Sequence, residues 1–176
     1  MKSRNLRTSA LSSHEELADA LQALFVAELL NPSTPLWIVT PWISDVVVLD
    51  NRSGLFTGLL PDLPRRPIRL IEVLINMLQR GGAVVIACRP DDHNRSFIEQ
   101  LQHWGSSEGR GHERLSCRYA SDLHAKGILS GKVLINGSMN LTYNGIRRLE
   151  ESITITNDAD TVARTRHAYE DRWGVA

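Results

Sequence analysis

The sequence predicts an α/β domain, a mixed β-sheet flanked by helices. Three observations lead there. Helical and strand-like stretches alternate in the order α-β-α-β-α-β-β-β-α. Residues 36–43 and 83–88 are almost continuously apolar, as strands covered on both faces are. Residues 122–140 read as two short apolar strands around a Ser130-Gly131-Lys132 turn, which adds antiparallel pairing. With 176 residues and an apolar share of 42%, the chain fits one domain with a real core. Residues 1–11 are expected to be a flexible arm and residues 12–176 the domain.

The elements follow in order. Ser12 or Ser13 is placed to cap a first helix, with Glu15 or Glu16 completing a capping box. Leu17, Leu21, Leu24, Phe25, Val26 and Leu29 give its apolar stripe, and Asn31-Pro32 ends it. The buried strand over 36–43 bends at Pro41. Residues 45–67 are irregular, and a connection this long is either a solvated loop or a lid, substrate loop or dimer contact. Ile68, Ile71, Leu74, Ile75 and Leu78 recur at helical spacing until Gly81-Gly82. After the strand over 83–88, Asp91 or Asp92 starts a helix that runs to Trp104. Residues 105–112 read as a flexible loop and 114–119 as a short strand. Beyond the 122–140 stretch come a turn over 141–145, an alternating strand over 151–155 and a closing helix over 158–173. No internal repeat is present.

Composition narrows function. Twenty basic residues balance twenty acidic ones, so there is no global footprint for nucleic acid and any anion site is local. Lysine occurs only at Lys2, Lys126 and Lys132, which sets Lys126 apart in an arginine-using chain. Cys88 and Cys117 fall in predicted strands with no metal-ligand spacing, so buried free thiols in a reducing compartment are expected. Lys2, Arg4 and Arg7 are not followed by an apolar run, and no stretch reaches the ~18 apolar residues of a spanning helix. A soluble cytoplasmic protein is the expectation.

The chemistry concentrates in residues 122–140. His124 and Lys126 are two apart on the first strand, so their side chains share a face. The second strand returns and ends in Gly137-Ser138-Met139-Asn140. An antiparallel hairpin therefore brings Ser138 and Asn140 close to His124 and Lys126. An imidazole, an ammonium, a hydroxyl and an amide on one patch suit a phosphoryl group. His14, His93, His103, His112 and His167 form no pair with metal spacing.

His124-x-Lys126 followed by Gly137-Ser138-x-Asn140 resembles the HKD motif of the phospholipase D superfamily. The resemblance runs from Trp37 to about Trp173 and implies a phospholipase D-like domain. The family's turn Asp is replaced here by Gly131 or Ser130, and the segment before Gly137 is about one residue shorter. That Asp shapes the turn in the family, and a glycine with positive φ is expected to take its place. The resemblance also implies metal-independent phosphodiester chemistry with no cofactor. One motif per chain implies a homodimer in which two motifs meet at the two-fold axis. His124 would form a phosphohistidine while the second copy's His124 serves as acid. Lys126 and Asn140 would bind the non-bridging oxygens, and Ser138 would support them.

A glutamate shortly after G-S-x-N orients the histidine in single-motif nucleases of this family. Glu151 falls at the matching offset. Its neighbour Glu150 is rejected because a strand alternates faces. Trp42 and Asp45, near the end of the first strand, would line the mouth of the site, although a large aromatic such as Trp42 is more often core. Arg147 and Arg148, beside the motif, and Arg65-Arg66 are placed for a nucleic-acid backbone. Small single-motif bacterial members are mostly nucleases, some in restriction or phage defence. Trp42-Ile43-Ser44, Arg89-Pro90-Asp91-Asp92 and the His124-Ala125-Lys126-Gly127 hairpin are further similar to the phospholipase-D-like component of 7-deazaguanine DNA-modification clusters. The expectation is a nuclease on DNA or RNA, with partner proteins of a defence or DNA-modification system. The alternatives are a lipid phospholipase or phosphatidyltransferase, and a catalytically silent nucleic-acid-binding subunit.

Overall fold

The computed structural model describes residues 3–9, 14–107 and 112–174. In chain order the elements are β1 (Ser3–Arg7), α1 (His14–Leu30), β2 (Leu36–Val39), β3 (Val47–Asp50), β4 (Pro67–Arg69), α2 (Leu70–Gln79), β5 (Val84–Cys88) and α3 (Asp92–Ser107). A 3₁₀ turn (His112–Arg114) leads to β6 (Leu115–Tyr119), β7 (Gly127–Leu129), β8 (Leu134–Gly137), α4 (Tyr143–Arg147), β9 (Ser152–Thr156) and α5 (Ala159–Trp173).

Seven strands form one sheet in the order β1-β9-β8-β7-β2-β5-β6. β2, β5 and β6 run parallel, and the remaining neighbours pair antiparallel. The sheet is therefore mixed, as the pattern predicts. Alternation along β2 explains why all four of its residues are buried. Leu36 and Ile38 join the core made with α1, α2 and α3. Trp37 and Val39 join a smaller core on the opposite face with Val162 and Trp173 of α5. Each such buried side chain contributes about 1.5–3 kcal/mol relative to exposure.

Four expectations change. Residues 3–7, expected in a flexible arm, are a strand laid in register along β9, from Ser3 opposite Thr156 to Arg7 opposite Ser152. An edge with unpaired backbone groups recruits such a segment whatever its side chains, so alternation in the sequence is not required. The rest of that arm and the capping Ser12 or Ser13 lie outside the described residues. Residues 45–67 are not wholly irregular: β3 and β4 form a two-stranded ribbon. The loop between them winds around fully buried Asn51, whose amide donates to Leu63 O and Pro64 O and accepts from Phe56 N–H. The helix predicted from 68 begins two residues later, because Asp45 and Glu72 accept the N–H groups of Ile71 and Arg69 at its start. Of the loop expected over 105–112, residues 105–107 belong to α3 and 108–111 lie outside the described residues.

Cys88 is buried and Cys117 half-buried, and both are free thiols. Burial pushes them up to about 12 and about 11. No described helix is long and apolar enough to cross a membrane.

Candidate active site

The expected antiparallel hairpin forms, with Gly127 opposite Asn136, Ile128 opposite Ile135 and Leu129 opposite Leu134. His124 and Lys126, however, precede β7 rather than lying in it. Leu123 is fully buried and anchors this extended approach, while His124 is exposed. A bond from Gly137 N–H to Lys126 O at 3.3 Å carries the pairing one step further and sets Lys126 beside the G-S-x-N segment.

That segment needs its glycine. Gly137 has φ of +151°, and a Cβ there would collide with Ser152 O on β9. Ser138 is consequently pressed against β9. Its Oγ donates to Glu151 Oε2 and accepts from Ser152 N–H at 2.9 Å. Glu151 is buried while Glu150 is exposed, in keeping with strand alternation. The expected bond from Glu151 to the His124 imidazole is not made. Ser138, just after β8, takes the carboxylate instead. Among the described residues the His124 ring has no hydrogen-bond partner.

Asn140 lies in the bend after β8. Its Oδ1 is 3.3 Å from Thr40 Oγ1 at the end of β2, which leaves the amide NH₂ to donate. Gly145 permits the close approach of α4, since a Cβ there would strike Asn140 O. Lys126 Nζ donates to His124 O at 2.6 Å. Its pKa is lowered by burial, with Glu151 acting to raise it and Arg89 to lower it. The carboxylate and the two cations therefore share one electrostatic neighbourhood.

The expected family turn is replaced in a different way from the one predicted. Gly131 does not adopt positive φ. Ser130 supplies the side-chain acceptor instead, taking N–H bonds from Lys132 at 3.2 Å and Val133 at 3.0 Å.

The remaining candidates divide. Trp42 is not core: it is 36% exposed at the end of β2, with the Arg89 guanidinium 5.0 Å from its ring centroid. A strand that stops at Val39 and bends through Pro41 leaves the sheet before the indole can be buried. Asp45 accepts from Ile71 N–H and faces Arg69, which gives it a capping place at α2. Arg148 lies over Tyr143 at 5.3 Å, and Arg147 lines a groove with Asp50 and Val47. Among the described residues neither is hydrogen-bonded to His124, Lys126, Ser138 or Asn140. Arg66 is paired with Glu72 at 2.6 Å.

Two residues were given no place at the site by the sequence reading. Arg89 follows β5, and its Nε donates to Leu123 O at 2.8 Å, one residue before His124. Its signal was a cation directly after a buried parallel strand, where α/β sheets bind ligands. Thr8 is buried and clamps the base of Glu151: Thr8 N–H donates to Glu151 O, Glu151 N–H to Thr8 Oγ1, and Thr8 Oγ1 to Leu149 O. Nothing in its local sequence marks it. Among the described residues no group of three or more His, Cys, Asp and Glu could hold a metal ion.

Solved structures share this fold at low identity. NucT from Helicobacter pylori is 12% identical with a TM-score of 0.59, over 97% of this chain and 95% of that one. A phospholipase D family member, Nuc from Salmonella typhimurium, is 13% identical with a TM-score of 0.60, over 97% and 93%. Phosphatidylserine synthase from Haemophilus influenzae Rd KW20 is 17% identical with a TM-score of 0.57, over 97% of this chain but 38% of that one. No curated protein sequence matches. The family described as cardiolipin synthase, PLD-like domain, matches residues 57–173, which include the whole hairpin and Glu151. The chain belongs to this phospholipase D-like family.

Proposed function

We propose that this chain is a metal-independent nuclease that cleaves DNA or RNA through a phosphohistidine. The observation that carries the reading is the exposed His124, whose backbone O accepts from Lys126, on a segment that the Gly137 N–H to Lys126 O bond joins to Gly137-Ser138-Met139-Asn140. An imidazole nitrogen can serve as the nucleophile for phosphorus without a metal ion. Its nitrogen attacks phosphorus, the bond to the leaving oxygen breaks, and a proton must reach that oxygen. One histidine cannot attack and donate in the same step. The second proton carrier is His124 of a second copy, so the working unit is a homodimer.

In the second half-reaction the donor imidazole, now neutral, takes a proton from water. The water attacks phosphorus and the phosphorus–nitrogen bond breaks, which returns both histidines. Lys126 and the Asn140 amide hold the non-bridging oxygens. Glu151 acts on this site through Ser138 and through the charge it places near Lys126. Trp42 lies at the mouth, and Arg147 and Arg148 supply backbone contacts farther along the substrate. A place in a restriction or DNA-modification system, with partner proteins, agrees with the further resemblance of residues 42–44, 89–92 and 124–127.

The test is cleavage of labelled single- and double-stranded DNA and RNA in EDTA, with His124→Ala as control, and sedimentation to read the assembly. Cutting by a dimer, lost in His124→Ala, is the expected result. Headgroup release from phosphatidyl lipid vesicles without nucleic-acid cleavage would replace this reading with a lipid-directed one. A monomer with full activity would remove the two-histidine step.

A further inference from the structure

We propose that Trp42, Arg89 and Tyr119 form a track for an unpaired nucleic-acid strand leading to His124, which makes the substrate single-stranded. This rests on the nuclease reading above. The four positions follow the order of the sheet. β7, β2, β5 and β6 are consecutive neighbours, and His124-Lys126, Trp42, Arg89 and Tyr119 lie at the same edge of those strands in turn.

Both aromatics are open, Trp42 at 36% and Tyr119 at 54%. Tyr119 ends β6 opposite Cys88, the residue before Arg89. In sheet order Arg89, at the end of β5, comes between them. Its Nε is committed to Leu123 O, its guanidinium lies over the Trp42 ring, and its remaining N–H groups take no partner among the described residues. Thr40 Oγ1 lies 3.0 Å from Trp42 O and 3.3 Å from Asn140 Oδ1, which ties the indole's backbone to the motif.

An aromatic–cation–aromatic row matches bases that alternate with a backbone phosphate. Stacking needs a free base face, which a duplex keeps covered and a single strand offers. The chain's neutral net charge gives no long-range hold on a duplex backbone, so local stacking carries more of the affinity.

The experiment compares cleavage in EDTA of a single-stranded oligonucleotide, the same strand annealed to its complement, and bis(p-nitrophenyl) phosphate, a diester without bases. Wild type is expected to prefer the single strand by about tenfold or more. Trp42→Ala should lower the ratio of the single-strand rate to the base-free rate by about five- to a hundredfold, and Trp42→Phe should retain most of it. Tyr119→Ala should act in the same direction. Equal cutting of duplex and single strand, or an unchanged ratio in Trp42→Ala and Tyr119→Ala, overturns the track and leaves the nuclease reading standing. Hydrolysis of the base-free diester with no cleavage of either nucleic acid overturns both.

Discussion

At the turn end of the β7–β8 hairpin, Ser130 and Gly131 are held by a dense set of hydrogen bonds. Ser130 accepts two backbone N–H groups. Gly131 N–H donates to Ser33 Oγ at 2.7 Å, and Ser33 in turn donates to buried Glu28 from both its N–H and its hydroxyl. Arg166 of α5 donates to Ser130 O and Gly131 O. At the other end, three residues from the same strand, the His124 imidazole has no partner among the described residues, and the Asn140 amide keeps donors to spare. The contrast separates two duties within one hairpin. A closed, satisfied end holds the strands in register. The open end can then present groups that would otherwise collapse onto the backbone or one another.

Substitutions at the two ends should therefore fail in different ways. The largest effect is expected at the open end. His124→Ala should lower phosphodiester cleavage by about 10⁴-fold or more, as loss of a nucleophile does. Its stability should stay within about 0.5 kcal/mol of wild type, because the side chain is exposed and unbonded. A denaturant titration that showed a large loss of stability would assign His124 to the closed class.

Gly137→Ala comes next and should damage both quantities. The required φ and the collision with Ser152 O predict about 3 kcal/mol of destabilisation, read by denaturant midpoint. At the turn end, Glu28→Ala should cost about 2 kcal/mol, since it strands the two Ser33 donors in a buried place. The catalytic rate of the folded protein should be little changed. A rate loss larger than the stability loss would break the division between the ends.

Glu28 also has a pH signature. Burial raises its pKa, opposed by the Ser33 bonds. A carboxyl whose folded pKa lies above the unfolded value contributes stability at low pH and loses it as pH rises through the folded pKa. Wild type should lose this contribution above the ordinary carboxylate range, and Glu28→Gln should lack that dependence in a pH series of melting curves.

The smallest effects sharpen the open end. Glu151 raises the Lys126 pKa and Arg89 lowers it. Glu151→Gln should therefore move the alkaline limb of the pH–rate profile to lower pH, and Arg89→Met should move it to higher pH. Shifts in the same direction would show that Lys126 is not the group titrating there.

Much of this was legible in the chain. The alternating helical and apolar runs gave the mixed sheet, and the two apolar runs around Ser130-Gly131-Lys132 gave the antiparallel hairpin. Alternation alone separated Glu151 from Glu150. What stayed hidden depends on contacts distant in sequence. Thr8 meets Glu151 across 143 residues, and Arg89 meets Leu123 across 34. The strand Ser3–Arg7 exists because β9 offers it an edge, which no local pattern announces. Gly131 misled because glycine permits positive φ without requiring it, and the neighbouring serine hydroxyl did the turn's work.

The central claim is that the open end of the hairpin carries the nucleophile. The direct measurement is covalent trapping: a labelled nucleic-acid substrate mixed with the protein in EDTA, quenched in alkaline detergent, followed by peptide mapping of the bound label. The predicted result is label on the peptide that contains His124 in wild type and none in His124→Ala. Efficient cleavage with no trapped label, or label on another residue, would contradict it.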